Sequence, residues 1–290
     1  MPLPLDPPAT RNPVGSHVRV GSGLVSGALR LADQIEAETI QVFIGNPRGW
    51  ALSHGDAVID AEFAEICARD SRRVFVHTPY LVNLGSPVPS TYAKSIASVA
   101  HNLIRGRRIG AEGVVVHTGS CVTEGAYDNA LRQLREGLLP MLDDLGEGPD
   151  LLLEPTAGQG RSLCAGVDDL EPYLEALDHH PRVGICLDTC HVFAAGAPLD
   201  EPGGTKRTLD RLAQIAPGRL RLVHANDSMD PRGSLRDRHQ QIGQGHIGTD
   251  AFTELMMHPS TAGVPLIAET PGSGEPSGPC LPLLKKLRAS

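Results

Sequence analysis

Asp237 and His239 form an Asp-x-His pair inside the stretch RLVHANDSMDPRGSLRDRHQQIGQGHIG, Arg221 to Gly248. In extended chain, side chains two residues apart leave on the same side, so the pair can share one cation. Imidazole with carboxylate suits Zn²⁺, Mn²⁺ or Fe²⁺. The stretch begins as a short apolar strand ending in His224 and reads as a metal-binding loop mounted on a strand end. Solvated turns carry such pairs too. What converges on the loop from elsewhere in the chain decides between the two readings.

The elements that would position these groups alternate along the chain. Strands are expected at His17–Val20, Thr39–Ile44, Arg73–His77, Gly113–His117, Asp150–Glu154, Val183–Asp188, Leu220–His224 and Val264–Glu269. Helical spacing of apolar residues falls between them: Gly27–Ala37, Asp60–Arg72, a helix Thr91–Arg108 capped by Ser90, Tyr127–Asp143, a helix capped by Asp168, Gly204–Ala216, a helix capped by Thr249, and Leu281–Leu287. Near-continuous apolar strands suit a parallel sheet buried on both faces. Eight strands each followed by a helix predict a single (β/α)₈ TIM barrel over residues 14–290, after a Pro-rich tail at residues 1–13.

The strand ends carry the chemistry. His77, His117, Glu154, Asp188 and His224 close strands three to seven, and Glu269 closes strand eight. His191 follows Asp188 by three residues, and Asp237 with His239 follows His224. All strand ends of such a barrel open on one face, where active sites sit. Five histidines and four carboxylates would meet there. Unpaired carboxylates gathered in one place repel, and no comparable set of Lys or Arg stands at the strand ends. Two or three metal ions answer that excess of negative charge. Among the other histidines, His54, His101, His179, His180 and His258 read as solvated side chains, and Cys190 reads as a small packing residue.

Bulk properties bound the function. Hydrophobic content of 40% and charged content of 21% are globular values, while 3% aromatics leaves the core to Leu, Val, Ile and Ala. No apolar run reaches the roughly 18 residues of a membrane span, and the N-terminus lacks the pattern of a secretory signal. Six scattered cysteines without a CxxC read as free thiols in a reducing compartment, the cytoplasm. The formal charge of −8 would argue against nucleic acid, but three divalent ions would offset most of it.

Seven segments carry a resemblance: HVRVGSGL, VFVHTPYLVNLGSP, VVVHTGS, EPTAGQG, CLDTCHVFAAG, HANDSMDPRGSLRDRHQQIGQGHIG and LIAETP. Together they resemble the endonuclease IV family of metal-dependent apurinic/apyrimidinic (AP) endonucleases, a group of xylose-isomerase-like barrels, over most of the chain. The resemblance implies hydrolysis of the phosphodiester 5′ of an abasic site in duplex DNA, in base excision repair. The products are a 3′-hydroxyl and a 5′-deoxyribose phosphate. It also implies three zinc ions, with Mn²⁺ or Fe²⁺ as substitutes, that activate a hydroxide. His77 and His117 would hold the first. Glu154 would bridge the first and second. Asp188, His224 and Glu269 would complete the second, and His191, Asp237 and His239 would hold the third. Glu154 and Glu269 would be the catalytic carboxylates. Arg48, Tyr80 and Leu81 match residues that enter or pack against DNA near the lesion. The chain departs from the pattern at Pro155, where the family has a polar residue, and at Met229, where Lys is common. A monomer suffices for the chemistry.

Two rivals remain at this point. A metal-dependent sugar isomerase or epimerase on the same barrel would need neither the third ligand group nor Arg48 and Tyr80. A non-catalytic protein that binds damaged DNA would need no bridged metal cluster.

Overall fold

The computed structural model describes residues 11–275 and 278–289. Eight parallel strands close into a barrel: β1 (Val14–His17), β2 (Thr39–Val42), β3 (Arg73–His77), β4 (Gly113–His117), β5 (Asp150–Glu154), β6 (Val183–Asp188), β7 (Leu220–His224) and β8 (Leu266–Ala268). Their order around the barrel follows the chain, with β1 pairing both β2 and β8. One such pairing is unusually close. A Cβ at Gly15 would lie 1.6 Å from the Thr39 carbonyl oxygen, so β1 admits no side chain there.

Two apolar layers hold the barrel. Phe75, Val115, Leu152, Cys186, Leu222 and Ile267, one each from β3 to β8, fill its interior. A larger layer, including Leu103, Leu134, Leu138, Phe193 and Phe252, lies between strands and helices. The interior residues explain the site. Because side chains alternate, the inward position two residues further along each strand is His77, His117, Glu154, Asp188, His224 and, just past β8, Glu269. The polar layer therefore sits directly above an apolar plug.

Several boundaries differ from expectation. β1 ends at His17 instead of starting there, so His17 belongs to the polar end of the barrel. The segment after it opens as a π-helical turn, Leu24–Leu29, before a short α-helix, Arg30–Gln34. The helix before β4 begins at Pro89 with Val88 as its N-cap, so Ser90 is inside the helix and caps nothing. Asp168 is likewise no cap: Asp169 precedes the helix Leu170–Ala176. Thr249 is the first residue of its helix, after Gly248. β8 is shorter than expected, which leaves Glu269 on the loop.

Residues 1–10 of the expected tail lie outside the described residues. Asn12, assigned to that tail, is buried, and its amide donates to the carbonyls of Thr261 (2.5 Å) and Val264 (2.9 Å). Pairing of the first strand with the last draws this segment into the barrel. Among the described residues no helix is long and apolar enough to cross a membrane, and all six cysteines are buried and unpaired.

Candidate metal centre

Glu154 is the middle of the site. It is fully buried, and its two oxygens face different ways. Oε2 lies 3.1 Å from His77 Nε2 and 3.3 Å from His117 Nε2. Oε1 lies 2.9 Å from His224 Nδ1 and 3.4 Å from His191 Nδ1. His224 Nδ1 is also 3.2 Å from Glu269 Oε2 and 3.8 Å from Asp188 Oδ2. The outermost group comes from the loop after β7: Asp237 reaches His191 Nε2 at 3.2 Å and His239 Nε2 at 3.0 Å.

All nine sequence-derived groups thus gather at the mouth of the barrel, in three sets. His77, His117 and Glu154 form one; Glu154, Asp188, His224 and Glu269 another; His191, Asp237 and His239 the third. Within each set the donor atoms lie within 4.8 Å of one another. Asp188 touches two sets, since it also lies 3.5 Å from His239 Nε2. Cys190 stands near Asp188 and His239, but burial and the Asp188 charge push its thiol up, so it stays protonated and is the poorest donor of the group.

Neighbouring groups fix which nitrogen three of the histidines turn inward. His77 Nδ1 donates to the Thr78 carbonyl at 2.7 Å, leaving Nε2 for the cavity. His191 Nδ1 donates to the Pro155 carbonyl at 3.0 Å. His224 is reversed: Nε2 donates to Gln41 Oε1 at 2.9 Å, and Nδ1 faces the carboxylates. Pro155 therefore orients a histidine through its backbone, which a change of side chain leaves intact.

The donor set fits divalent cations. His239 Nε2 is buried without a hydrogen bond although an Asp237 oxygen is 3.0 Å away; the two point at a common space instead of at each other. Without a cation, protons on the histidines balance the carboxylates. Burial lowers His191, but Asp188 and Asp237 outweigh it and push the imidazole up to about 10. His239 is raised the same way to about 9. Burial would raise Glu154, yet His224 and His117 hold it well below the usual carboxylate range.

Polar residues beside the site escaped the sequence reading. Gln41, fully buried on β2, donates to Glu269 Oε1 at 2.7 Å while accepting from His224, and its amide also lies 3.0 Å from His17 Nδ1. His17 is 3.2 Å from Glu269 Oε1; burial lowers its pKa and outweighs the raising effect of that carboxylate. One signal was present, since Gln41 is the lone amide in the apolar run TIQVFI; His17 was placed at the start of a strand, and only the fold puts it at a strand end. Asn226 was also missed. Its amide donates to Asp188 at 2.7 Å and its oxygen accepts from the Glu269 N–H at 2.8 Å.

Above the nine groups opens a cavity of about 990 Å³. Arg48 and Tyr80 line it, and Leu81 does not. The loops of Arg48 and Tyr80 are joined by the Tyr80 N–H to the Pro47 carbonyl at 3.0 Å. Tyr80 is 56% exposed and Leu81 38%, an apolar edge facing solvent. Met229 is also half-exposed but lies outside the cavity lining.

A family model described as a xylose isomerase-like TIM barrel matches residues 29–288. Over 285 residues, 97% of this chain and 92% of the relative, the sequence is 54% identical to a probable endonuclease 4 of Streptomyces avermitilis. The chain belongs to the endonuclease 4 family. A probable endonuclease 4 of Methanoculleus marisnigri is 38% identical over 261 residues, 89% of this chain and 92% of the relative. The crystal structure of endonuclease IV from Thermus thermophilus superposes with a TM-score of 0.80 at 30% identity, covering 95% of this chain and 98% of that one. A D-tagatose 3-epimerase-like protein superposes at 0.71 with 19% identity over 96% and 98% of the two chains, a likeness of fold alone. Family membership favours the endonuclease expectation over the sugar-isomerase rival.

Proposed function

We propose that this chain is a zinc-dependent AP endonuclease that hydrolyses the phosphodiester 5′ of abasic sites in duplex DNA during base excision repair. It leaves a 3′-hydroxyl and a 5′-deoxyribose phosphate. The observation that carries the reading is the division of nine donor groups into three sets, two of which share Glu154. His77, His117 and Glu154 would hold one zinc ion, Glu154, Asp188, His224 and Glu269 a second, and His191, Asp237 and His239 a third. Mn²⁺ or Fe²⁺ suits the same donors. When bound, the ions supply Lewis acidity toward water and toward the phosphoryl oxygens.

The chain's own residues do the rest. Glu154 sets the distance between the inner two sets. Glu269 is held by Gln41 and by the backbone bond to Asn226, so its carboxylate is already oriented before DNA arrives. Tyr80 and Leu81 offer an apolar wedge, and partial burial, with the Glu269 and Glu154 charges, pushes the Tyr80 phenol above its ordinary value. Extruding a nucleotide costs least where pairing is already lost, which favours an abasic site. Arg48 at the cavity rim meets the strand backbone. A sugar isomerase would leave the third set without a task. All nine donors come from one chain, so a monomer is complete, and buried free thiols suit the cytoplasm.

The decisive experiment incubates the protein with a duplex carrying one abasic analogue, with and without chelator. Incision 5′ of the lesion that chelator abolishes is expected. An intact strand with metal fully loaded would overturn the reading.

A further inference from the structure

Positive charge is distributed unevenly around the barrel mouth. On the side of the β5 and β7 loops the arginines stand beside carboxylates. Arg161 pairs with Glu124 at 3.0 Å, Arg232 with Glu201 at 2.6 Å, and Arg238 with Asp230 at 2.5 Å. Arg236 lies 3.6 Å from the same Asp230. On the β1 and β2 side, Arg19 and Arg48 both line the cavity and both are exposed. Among the described residues no carboxylate pairs with either. Glu275 lines the same cavity but forms no ion pair with Arg19.

Arg19 also stands on rigid backbone. The Val18 N–H donates to the Gln41 carbonyl at 2.9 Å, and the Gly23 N–H to the Val20 carbonyl at 2.9 Å. Strand geometry thus continues one residue past β1. Arg19 then leaves on the same side as His17, over the site, because alternate side chains share a side. A guanidinium that is exposed, unpaired and fixed at its base is equipped for a planar anion partner.

We propose that Arg19 binds a backbone phosphate of the DNA strand, beside the phosphodiester that is cut, and that Arg19 with Arg48 leads that strand along the β1–β2 side of the mouth. The proposal rests on the endonuclease reading and goes beyond it by giving the strand a path. The opposite side, with most of its arginines already paired, contributes less to phosphate binding.

The test measures binding of an abasic-analogue duplex between 50 and 200 mM salt, for the wild-type protein and for Arg19→Ala, Arg19→Lys and Arg161→Ala. Each phosphate neutralised contributes about 0.9 to the slope of log affinity against log salt. Arg19→Ala is expected to lose about that much slope and to bind about tenfold more weakly at the lowest salt. Arg19→Lys should keep the slope, since it keeps the charge. Arg161→Ala should match wild type, and bound metal should be unchanged throughout. An unaltered slope in Arg19→Ala, or an equal loss in Arg161→Ala, overturns the proposal. Incision is scored separately on the wild-type protein. Binding with the expected slopes but without incision would sink the endonuclease reading and leave the strand path standing.

Discussion

Glu269 has two kinds of neighbour, and they predict separable effects. Its Oε2 faces His224, while its Oε1 takes the Gln41 amide. Glu269→Gln should lower the rate of incision at least about 100-fold, the scale on which a single buried electrostatic group acts. Affinity for abasic duplex should stay within a few-fold of wild type. Quenched-flow incision alongside anisotropy separates the two, and equal losses in both would show that the carboxylate binds DNA. Gln41→Leu removes only the group that orients Glu269 and His224. Loss of such an orienting partner lowers metal affinity about 10- to 100-fold, which a competitive chelator titration reads directly. An unchanged metal affinity would mean that Gln41 merely fills space.

At the scale of elements, the loop between β7 and the helix Thr249–Met257 depends on Asp227. This buried carboxylate accepts from the backbone N–H groups of Ser228 (2.8 Å), Ile247 (2.8 Å), Gly243 (2.9 Å), Gly245 (3.1 Å) and Gly248 (3.3 Å). Gly245 must be glycine, because a Cβ there would come within 2.4 Å of Asp227 Oδ1 and of the Ser228 carbonyl. Asp227→Ala strands several amides and costs about 1–3 kcal/mol for each one that water fails to reach. The barrel should remain folded while the loop carrying Asp237 and His239 loosens. Bound metal should fall by one ion per chain, and hydrogen exchange should rise across residues 229–248. Full metal content would refute that dependence. A second anchor holds the loop of Arg48. Arg105, buried on the helix Pro89–Arg108, pairs with buried Asp60 at 3.1 Å and donates to the Ile44 carbonyl at 2.6 Å. Arg105→Ala leaves Asp60 with only the half-exposed Arg108 at 2.8 Å. A destabilisation of about 3 kcal/mol is expected in urea melts, the low end for breaking a buried pair.

For the whole molecule, metal and protons compete. In the metal-free protein His191 is raised to about 10 and His239 to about 9, so both are protonated at neutral pH. A metal ion needs their unprotonated nitrogens. Affinity should therefore rise with pH until about 9–10 and fall steadily below it, with up to two protons released by these residues per ion at pH 7. Calorimetry in buffers of different ionisation enthalpy counts those protons, and a release of zero would contradict the charge balance. Because metal binds the folded state, chelator should lower the melting temperature.

Much of this was legible in the chain itself. The alternation of apolar strands with amphipathic helices implied the barrel, because a parallel sheet must be covered on both faces. The position of six ligand-type residues at strand ends, with three more in the segments that follow, implied their meeting, because all strands of such a barrel run the same way. Family membership followed from local motifs such as CLDTCHVFAAG. His17 and Gln41 were not legible in the same way. An isolated histidine or amide shows its role only when strand boundaries and inward faces are known, and β1 was misplaced by three residues. The orientation of the imidazoles also waited for the fold, since it depends on acceptors as distant in sequence as Gln41 is from His224. The same holds for the free charge of Arg19. Sequence counts its arginines, but only tertiary structure decides which of them a carboxylate has already claimed.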